Sequence, residues 1–319
     1  MRVIGDTKHL TEGAILTGIF LVLAFLSYFT PLFLFAFIVL PVPFVVLYAR
    51  TNWRVLLLSA IAGFIILFSL LDPLISFKMS LLALLVGGAL GYAFKKSWPA
   101  SRLLIAGTIA FLGVFLVKLL FFQVVLGINL LEVIMTGLKE AAEAQAAFLE
   151  GMEAPEGQIQ DVRDITDLLR ENIPVFLPAT LLMASTVLGY FQVVINRGIL
   201  NKLGYKTASF PPFANWRFPQ FFAWYYVIAT VILLFQPNLS GYIGRVAANL
   251  FTVTNYILLL QGITLVYWFL KINRSLHKVF SIFIILVLLA IPPLNMVVIL
   301  LGLSDQLFNI RKFIESRGG

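Results

Sequence analysis

The charged residue that stands out in this sequence is Lys118, because it lies inside an apolar run, residues 102–126. It is seventeen residues into that run, and roughly 12 Å of helix would separate it from the nearer end at 1.5 Å per residue. Ionisable side chains inside apolar segments are costly and often mark a binding or transport site. A lysine stem can also extend back to the membrane interface. The sequence therefore leaves two placements of the ammonium group open: facing the protein interior, or reaching the interface.

Other polar residues fall near the same end of the neighbouring apolar runs. Asp72 ends one run just before Pro73, and Lys78 opens the next. Each residue alone is typical of a solvated helix end or an interhelical hydrogen bond. As a set they predict an outward-facing polar cavity for a small anionic or zwitterionic solute. The candidate solute-binding residues are Lys118, Asp72, Lys78, Gln123, Asn129, Asn249 and Asn255.

Sequence patterns for catalysis are absent. The chain has no cysteine and two histidines, His9 and His277, which are far apart. It contains no H-E-x-x-H, phosphate-binding loop or G-x-S-x-G motif. We therefore expect no enzyme activity, no metal and no cofactor. The glycines Gly87 and Gly91, four residues apart in an apolar run, predict close helix packing instead.

The composition identifies the class of protein that must position these residues. Hydrophobic residues make up 61% of the 319 residues, charged residues 12%, and the mean hydropathy is +0.98. Apolar runs near the ~20 residues that cross a bilayer recur along the chain. We predict an all-α polytopic membrane protein in contact with the lipid bilayer. The runs cover residues 12–29, 32–49, 54–71, 77–94, 102–126, 173–196, 218–236, 247–270 and 279–303.

The net charge of +8 resembles that of a nucleic-acid-binding protein until the charges are located. Residues 132–171 hold ten of the fifteen acids and carry a net −7, whereas the rest of the chain carries +15. Four loops contain only bases and alternate with uncharged or acidic ones, which predicts a cytoplasmic N-terminus and no nucleic-acid partner. These bases are Arg50, Arg54, Lys95, Lys96, Arg102, Arg197, Lys202, Lys206, Arg217, Lys271, Arg274 and Lys278, with Trp53, Trp98, Trp216 and Trp268 close by.

The side of the C-terminus depends on how the last apolar run is interpreted. As one span it gives nine transmembrane segments and leaves the basic tail outside, against the charge rule. Pro292 and Pro293 could instead break the run into a re-entrant pair, which gives eight segments and a cytoplasmic tail.

Residues 129–172 have the composition of a soluble segment and, by alternation, lie outside. Two stretches in it repeat apolar residues at helical spacing, and residues 151–157 have the composition of a turn. We predict an acidic extracytoplasmic helical hairpin with an apolar face on the membrane domain, acting as a solvated cap or as a lid over a pocket. The apolar residues are Leu131, Ile134, Leu138, Ala141 and Ala142, then Ile159, Val162, Ile165, Leu168 and Leu169.

Several motifs together resemble the YybS-like family of bacterial integral membrane proteins, over nearly the whole chain. They are the helix Leu10–Gly18, the segment Leu40-Pro41-Val42-Pro43, Arg50 through Arg54, the glycines of the fourth run, Gln261-Gly262 and the tail Gly302–Arg311. No activity follows from this resemblance. The first six runs are in turn similar to the S components of energy-coupling-factor transporters.

The S-component resemblance implies a domain plan. Spans one to five (1–128), the hairpin (129–172) and span six (173–196) would form the six-helix core. A basic loop (197–217) and C-terminal membrane helices with a tail (218–319) would follow. The resemblance also implies docking of a coupling subunit on small residues of the first helix. The candidate helix-docking residues are Ala14 and Gly18, with Gly87 and Gly91 added for close packing.

These features favour a solute-binding or transport-associated component of the bacterial cytoplasmic membrane that needs partner subunits, such as an ATPase, for energy. The alternative is a scaffold or assembly factor for other envelope proteins. It rests on the aromatic residues within the basic loop 197–217 and on the acidic hairpin.

Overall fold

The computed structural model describes residues 2–30, 38–236, 241–273 and 278–317. Its regular elements in these ranges are all helical, which confirms the predicted class. The helices are α1 Arg2–Phe29, α2 Val42–Arg50, α3 Trp53–Leu70, α4 Pro73–Lys95, α5 Ala100–Val124, α6 Leu130–Gly151, α7 Glu156–Lys202, α8 Phe221–Phe235, α9 Tyr242–Trp268, α10 Lys278–Ala290, α11 Pro292–Phe308 and α12 Ile310–Arg317.

Among the described residues, six helices are long and apolar enough to cross a membrane, or up to seven if one bent pair counts as a span. The difference from the predicted eight to nine lies in three apolar runs. In the run 32–49 only α2, with nine residues, is a described α-helix; residues 32–37 lie outside the described ranges. The helix α8 has 15 residues. The last run bends by 113° between Ala290 and Pro293, because proline cannot continue a straight helix.

The chain divides into two compact units, of which the first comprises residues 1–137 and 181–209. Its helices approach closely at glycines. A Cβ atom on Gly87 would lie 2.5 Å from Cβ of Phe44, and one on Gly91 would lie 2.5 Å from Cβ of Tyr48, so α4 needs both glycines to meet α2. A Cβ on Gly107 of α5 would lie 3.0 Å from Cα of Gly189 on α7.

A buried amide satisfies the backbone near the prolines that precede α2. The Gln192 side chain on α7 donates from Nε2 to the carbonyl oxygen of Ile38, three residues before Pro41. Asn196 in turn donates to both the carbonyl and the side-chain oxygen of Gln192, each at 2.8 Å. Both amides are fully buried. Gln192 thus supplies a polar partner to the backbone near these prolines, and Asn196 in turn bonds to the Gln192 side chain.

The second unit comprises residues 138–180 and 210–319. The predicted hairpin is formed by α6 and the first part of α7, with a turn at residues 152–155. Ala142, Ala146 and Ile159 are its buried residues, and Arg163 pairs with Glu150 at 3.1 Å. The predicted boundary at residue 172 falls inside α7, a single helix that ends at Lys202 and contains Pro174 and Pro178.

The predicted apolar faces of the hairpin are only partly buried. Ile134, Ile165, Leu168 and Leu169 are exposed within the structure. The buried positions are mainly alanines, because the two antiparallel helices pack through small side chains near the turn.

The helices α9 and α11 cross so closely that glycine is required at the contact. A Cβ atom on Gly262 would lie 1.9 Å from the carbonyl oxygen of Val298, and one on Gly302 would lie 2.0 Å from the carbonyl oxygen of Leu258. Backbone atoms cannot move aside as a flexible side chain can. The two glycines therefore set the distance between these helices.

We predict that Gly262→Ala and Gly302→Ala each destabilise the protein by roughly 1–3 kcal/mol or more, because the added methyl overpacks a backbone contact. Thermal unfolding of the purified protein in detergent measures the loss. Gly18→Ala is the matched control, since a Cβ there meets no atom within 4 Å. The control should keep or slightly raise the melting temperature. Equal melting temperatures for all three variants would contradict the proposed close crossing.

Candidate functional site

Two lysines from the predicted solute-binding set line one cavity of the first unit. Lys118 of α5 and Lys78 of α4 share a cavity of about 220 Å³. Both side chains are half-buried, and the two ammonium groups repel each other. The Lys78 ammonium also lies 5.6 Å from the centre of the Phe122 ring. The other lining residues are Ser27, Leu40, Ile75, Met79, Leu82 and Val114.

Among the described residues, the cavity lining contains two cations and no carboxylate. The sequence has no acidic residue between Asp72 and Glu132, the stretch that forms α4 and α5. An anion held between the two ammonium groups would remove their repulsion and replace lost hydration. The arrangement is therefore suited to binding a carboxylate or phosphate group.

Two other predicted site residues cap helices. Asp72 Oδ1 accepts hydrogen bonds from the N–H groups of Leu74 and Ile75 at 2.8 and 3.2 Å, which fixes the start of α4. Asn129 Oδ1 accepts from Leu131 and Glu132 at the start of α6. Side-chain oxygens at this position satisfy N–H groups that have no partner within the helix. Both residues are exposed and lie outside the lining of the lysine cavity.

The predicted amides have different surroundings. Gln123 is exposed near the end of α5, and Asn255 is half-buried on α9. Asn249 of α9 accepts from the N–H of Ala179 at 2.9 Å and donates to the carbonyl of Val175 at 2.7 Å. In an uninterrupted α-helix, the N–H of Ala179 would instead donate to the carbonyl of Val175.

Asn249 thus bonds to α7 just where Pro174 and Pro178 interrupt its hydrogen-bond ladder. Its amide joins α9 to the part of α7 in the same unit. Asn249 and Asn255 belong to the second unit, whereas Lys118, Lys78, Asp72, Gln123 and Asn129 belong to the first.

The candidate docking residues separate into two pairs. Ala14 is exposed and Gly18 half-buried on α1, with no atom within 4 Å of a Cβ placed on Gly18. The adjacent face of α1 packs on α3, where a Cβ on Gly13 would lie 3.0 Å from Ser59 Oγ. Gly87 and Gly91 are used within the chain, against α2.

A buried polar network in the second unit was not predicted from the sequence. Arg311 of α12 is 1% exposed and donates from Nε to Asp305 Oδ2 at 3.1 Å. Its other nitrogens donate to the carbonyl of Ala214 at 2.5 Å and to Thr264 Oγ1 at 2.8 Å. Gln261 completes the network by donating to Asp305 Oδ2 at 2.5 Å.

The network joins three segments that are distant in sequence. Gln261 also accepts from the N–H of Phe218, so one side chain links α9, α11 and the chain before α8. Asn309, in the left-handed conformation with φ +50°, turns the chain between α11 and α12 and allows Arg311 to return to Asp305. Gln261, Asp305, Asn309 and Arg311 lie in Gln261-Gly262 and Gly302–Arg311, two of the motifs noted above.

Burial and the neighbouring carboxylate have opposite effects on the pKa of Arg311. Desolvation lowers the pKa of its guanidinium from the ordinary value, whereas the adjacent Asp305 carboxylate raises it. Arginine stays protonated in proteins, so Asp305 and Arg311 form a buried ion pair whose donors also bond neutral groups. This arrangement holds the tail in place. The sequence analysis missed it because Arg311 bonds to Ala214 and Thr264, which lie 97 and 47 residues away in the chain.

Aromatic residues of the basic loop pack on the same part of the chain. The Phe213 ring centre lies 5.2 Å from that of Trp216 and 5.7 Å from that of Tyr267 on α9. Trp216 donates from Nε1 to the carbonyl of Pro211. These two loop aromatics therefore have structural contacts within the unit.

The contacts of the tail also bear on the side of the C-terminus. Arg311 bonds to Ala214, so the tail and the end of the basic loop lie at the same end of α9. The 113° bend between α10 and α11 returns the chain to that end. This geometry favours the re-entrant interpretation over a single straight span.

Within the described residues, no group of three His, Asp or Glu side chains is placed to hold a metal ion. His277 lies outside the described residues.

The fold and these contacts define a polytopic α-helical membrane protein with a cationic cavity in one unit and a buried ion pair in the other. The chain belongs to the DUF2232 family of predicted membrane proteins, whose profile matches residues 18–306. No curated protein and no solved structure matches the chain.

We predict that Arg311→Met destabilises the protein by about 3–5 kcal/mol, because the Asp305 carboxylate stays buried without its partner. Melting temperatures in detergent measure the effect. Lys312→Met is the matched control, since its exposed neighbouring side chain loses no buried contact. If both variants melt alike, the network does not hold the tail.

We also predict that a reporter fused after Gly319 and a tag inserted after Lys206 report the same side of the membrane. The reason is the contact between Arg311 and the loop carbonyl of Ala214. Protease accessibility in sealed vesicles measures both positions in one preparation. Opposite sides would favour a single straight span over residues 279–303.

Proposed function

We propose that the protein is a non-enzymatic solute-binding or transport-associated component of the bacterial cytoplasmic membrane, with its N-terminus in the cytoplasm. It takes its energy from partner subunits. It binds the acidic group of an anionic or zwitterionic solute between Lys78 and Lys118. The observation that carries the proposal is the shared cavity of these two lysines.

The first support is electrostatic. Two half-buried ammonium groups in one cavity raise each other's free energy, and the sequence offers no acid in α4 or α5 to pair with them. Membrane segments rarely keep such charges without a functional reason. A bound carboxylate or phosphate would accept hydrogen bonds from both lysines, and hydrogen bonds between ionised groups are the strong ones.

The second support is size. A cavity of about 220 Å³ is smaller than most pockets for drug-sized ligands, which span roughly 300–1,000 Å³. It therefore fits a small solute or the acidic end of a larger one. The apolar residues Leu40, Leu82 and Val114 in the lining would contact the part of the solute next to the acidic group.

We predict that at least one anionic solute raises the melting temperature of the purified protein, and that Lys118→Met and Lys78→Met each weaken its binding about tenfold or more. That loss corresponds to one charge-assisted hydrogen bond. The panel comprises inorganic phosphate, nucleotides, carboxylate-bearing vitamins and neutral analogues of each. Thermal shift identifies binders, and isothermal titration gives the Kd.

Lys139→Met is the matched control, because Lys139 is an exposed lysine of the hairpin. Both cavity variants should keep or raise the melting temperature of the ligand-free protein, since each removes one of two repelling charges. The solute-binding proposal fails if no panel member binds, or if binding persists in Lys118→Met.

Purification from native membranes in mild detergent tests the proposed partner subunits. Recovery of the protein without any ATPase or coupling subunit argues against them.

A further inference from the structure

A second concave surface of the first unit lies between α4 and α5, away from the lysine cavity. It is a groove of about 600 Å³ whose lining is apolar except at one end. The lining residues are Leu85, Ala89 and Tyr92 of α4, Trp98, and Arg102, Ile105, Ala106, Ile109, Ala110 and Gly113 of α5.

Small residues make this surface concave. Its lining includes Ala89, Ala106, Ala110 and Gly113, and a Cβ atom on Gly113 would meet no atom within 4 Å. Ile105 and Ile109 are 57% and 64% exposed, so their side chains stand out as a wall. The groove is therefore a shaped apolar channel on the helix surface.

The polar groups of the groove are confined to one end. Arg102 is the third residue of α5, and Tyr92 and Trp98 pack edge to face at 5.9 Å between their ring centres. The Lys96 ammonium lies 6.0 Å from the Tyr92 ring centre. Within the described residues Arg102 forms no ion pair, and no acid occurs in the sequence from 73 to 131.

The length of the groove matches one membrane leaflet. From Arg102 to Gly113 the helix rises about 16 Å at 1.5 Å per residue, which is half of the roughly 30 Å hydrocarbon core. Arginine, lysine, tryptophan and tyrosine at a helix end are typical of the headgroup level. The groove thus presents cations at the depth of a headgroup and an apolar channel at the depth of an acyl chain.

We propose that this groove is a binding site for one anionic phospholipid. An acyl chain lies along Ala89, Ala106 and Gly113, and the headgroup phosphate accepts hydrogen bonds from Arg102 with Lys96 nearby. Basic residues beside grooves between membrane helices are a recurring means of recognising anionic headgroups. Charge complementarity and the separation of polar from apolar lining both favour an amphiphile over a soluble solute or an apolar helix.

The proposal is tested by lipid retention of the purified protein, measured by native mass spectrometry after exchange into phosphatidylglycerol or phosphatidylcholine with identical chains. The wild type should retain one phosphatidylglycerol in preference to phosphatidylcholine. Arg102→Gln should lower that preference roughly fivefold, the effect of one interfacial cation. Ala106→Leu and Gly113→Leu should lower the retention of both lipids by filling the groove.

Matched controls come from α3. Arg54→Gln removes an exposed arginine that lies 5.7 Å from the Trp53 ring outside the groove, and Ala62→Leu enlarges an exposed alanine of the same helix. Both should retain lipid like the wild type. Gly113→Leu keeps the test valid if Ala106→Leu fails to fold, since its side chain enters open space.

Three results would overturn the proposal: equal retention of the two lipids by the wild type, groove variants that behave like the controls, or a self-associated chain that Ala106→Leu and Gly113→Leu dissociate without changing lipid retention. The last result would identify the groove as a helix-docking surface. None of these outcomes depends on Lys78 or Lys118, so failure here leaves the proposed solute site unaffected.

Discussion

A hydrocarbon environment offers no water to an unpaired backbone group, and this constraint explains the positions of two side-chain amides, Gln192 and Asn249. Prolines interrupt the backbone before α2 and within α7. Gln192 bonds to the carbonyl of Ile38 near the first interruption. Asn249 bonds to Val175 and Ala179 at the second. These two amides therefore bond to backbone groups of a neighbouring segment and are not free to bind a ligand.

The same reasoning distinguishes the charges that hold the structure from those left for function. Asp305 and Arg311 are buried but have partners, which include the backbone carbonyl of Ala214. Lys78 and Lys118 share a cavity in which no described lining residue is acidic. A buried charge with partners holds its segment in place. Two like charges in one cavity repel each other, and an anion from outside the chain would offset that repulsion. The lysine cavity is therefore the stronger candidate for a ligand site.

Much of the fold could be predicted because apolar runs and charge clusters are local signals. The helices α1, α3, α4, α5 and α9 agree with predicted runs to within several residues at most ends, and the hairpin turn falls where glycine and proline cluster. Span counting was less accurate where prolines divide a run, since apolar composition alone does not report a 113° bend. The sequence placed Lys78 and Lys118 in one set of candidate solute-binding residues but did not single them out as a pair. The network at Arg311 was missed. Both depend on contacts between residues 40 or more positions apart.

The sequence by itself determined the class of protein and the distribution of its charges, because hydropathy and the count of bases in short loops are sums over neighbouring residues. Only the tertiary structure decided which polar residues are bonded within the chain. Asp72 and Asn129 proved to be helix caps, Asn249 bonds to a broken helix, and Lys118 faces a cavity with Lys78. The physical reason is that a hydrogen-bond partner is selected by distance in space, and helices that pack side by side bring together groups that the linear order keeps apart.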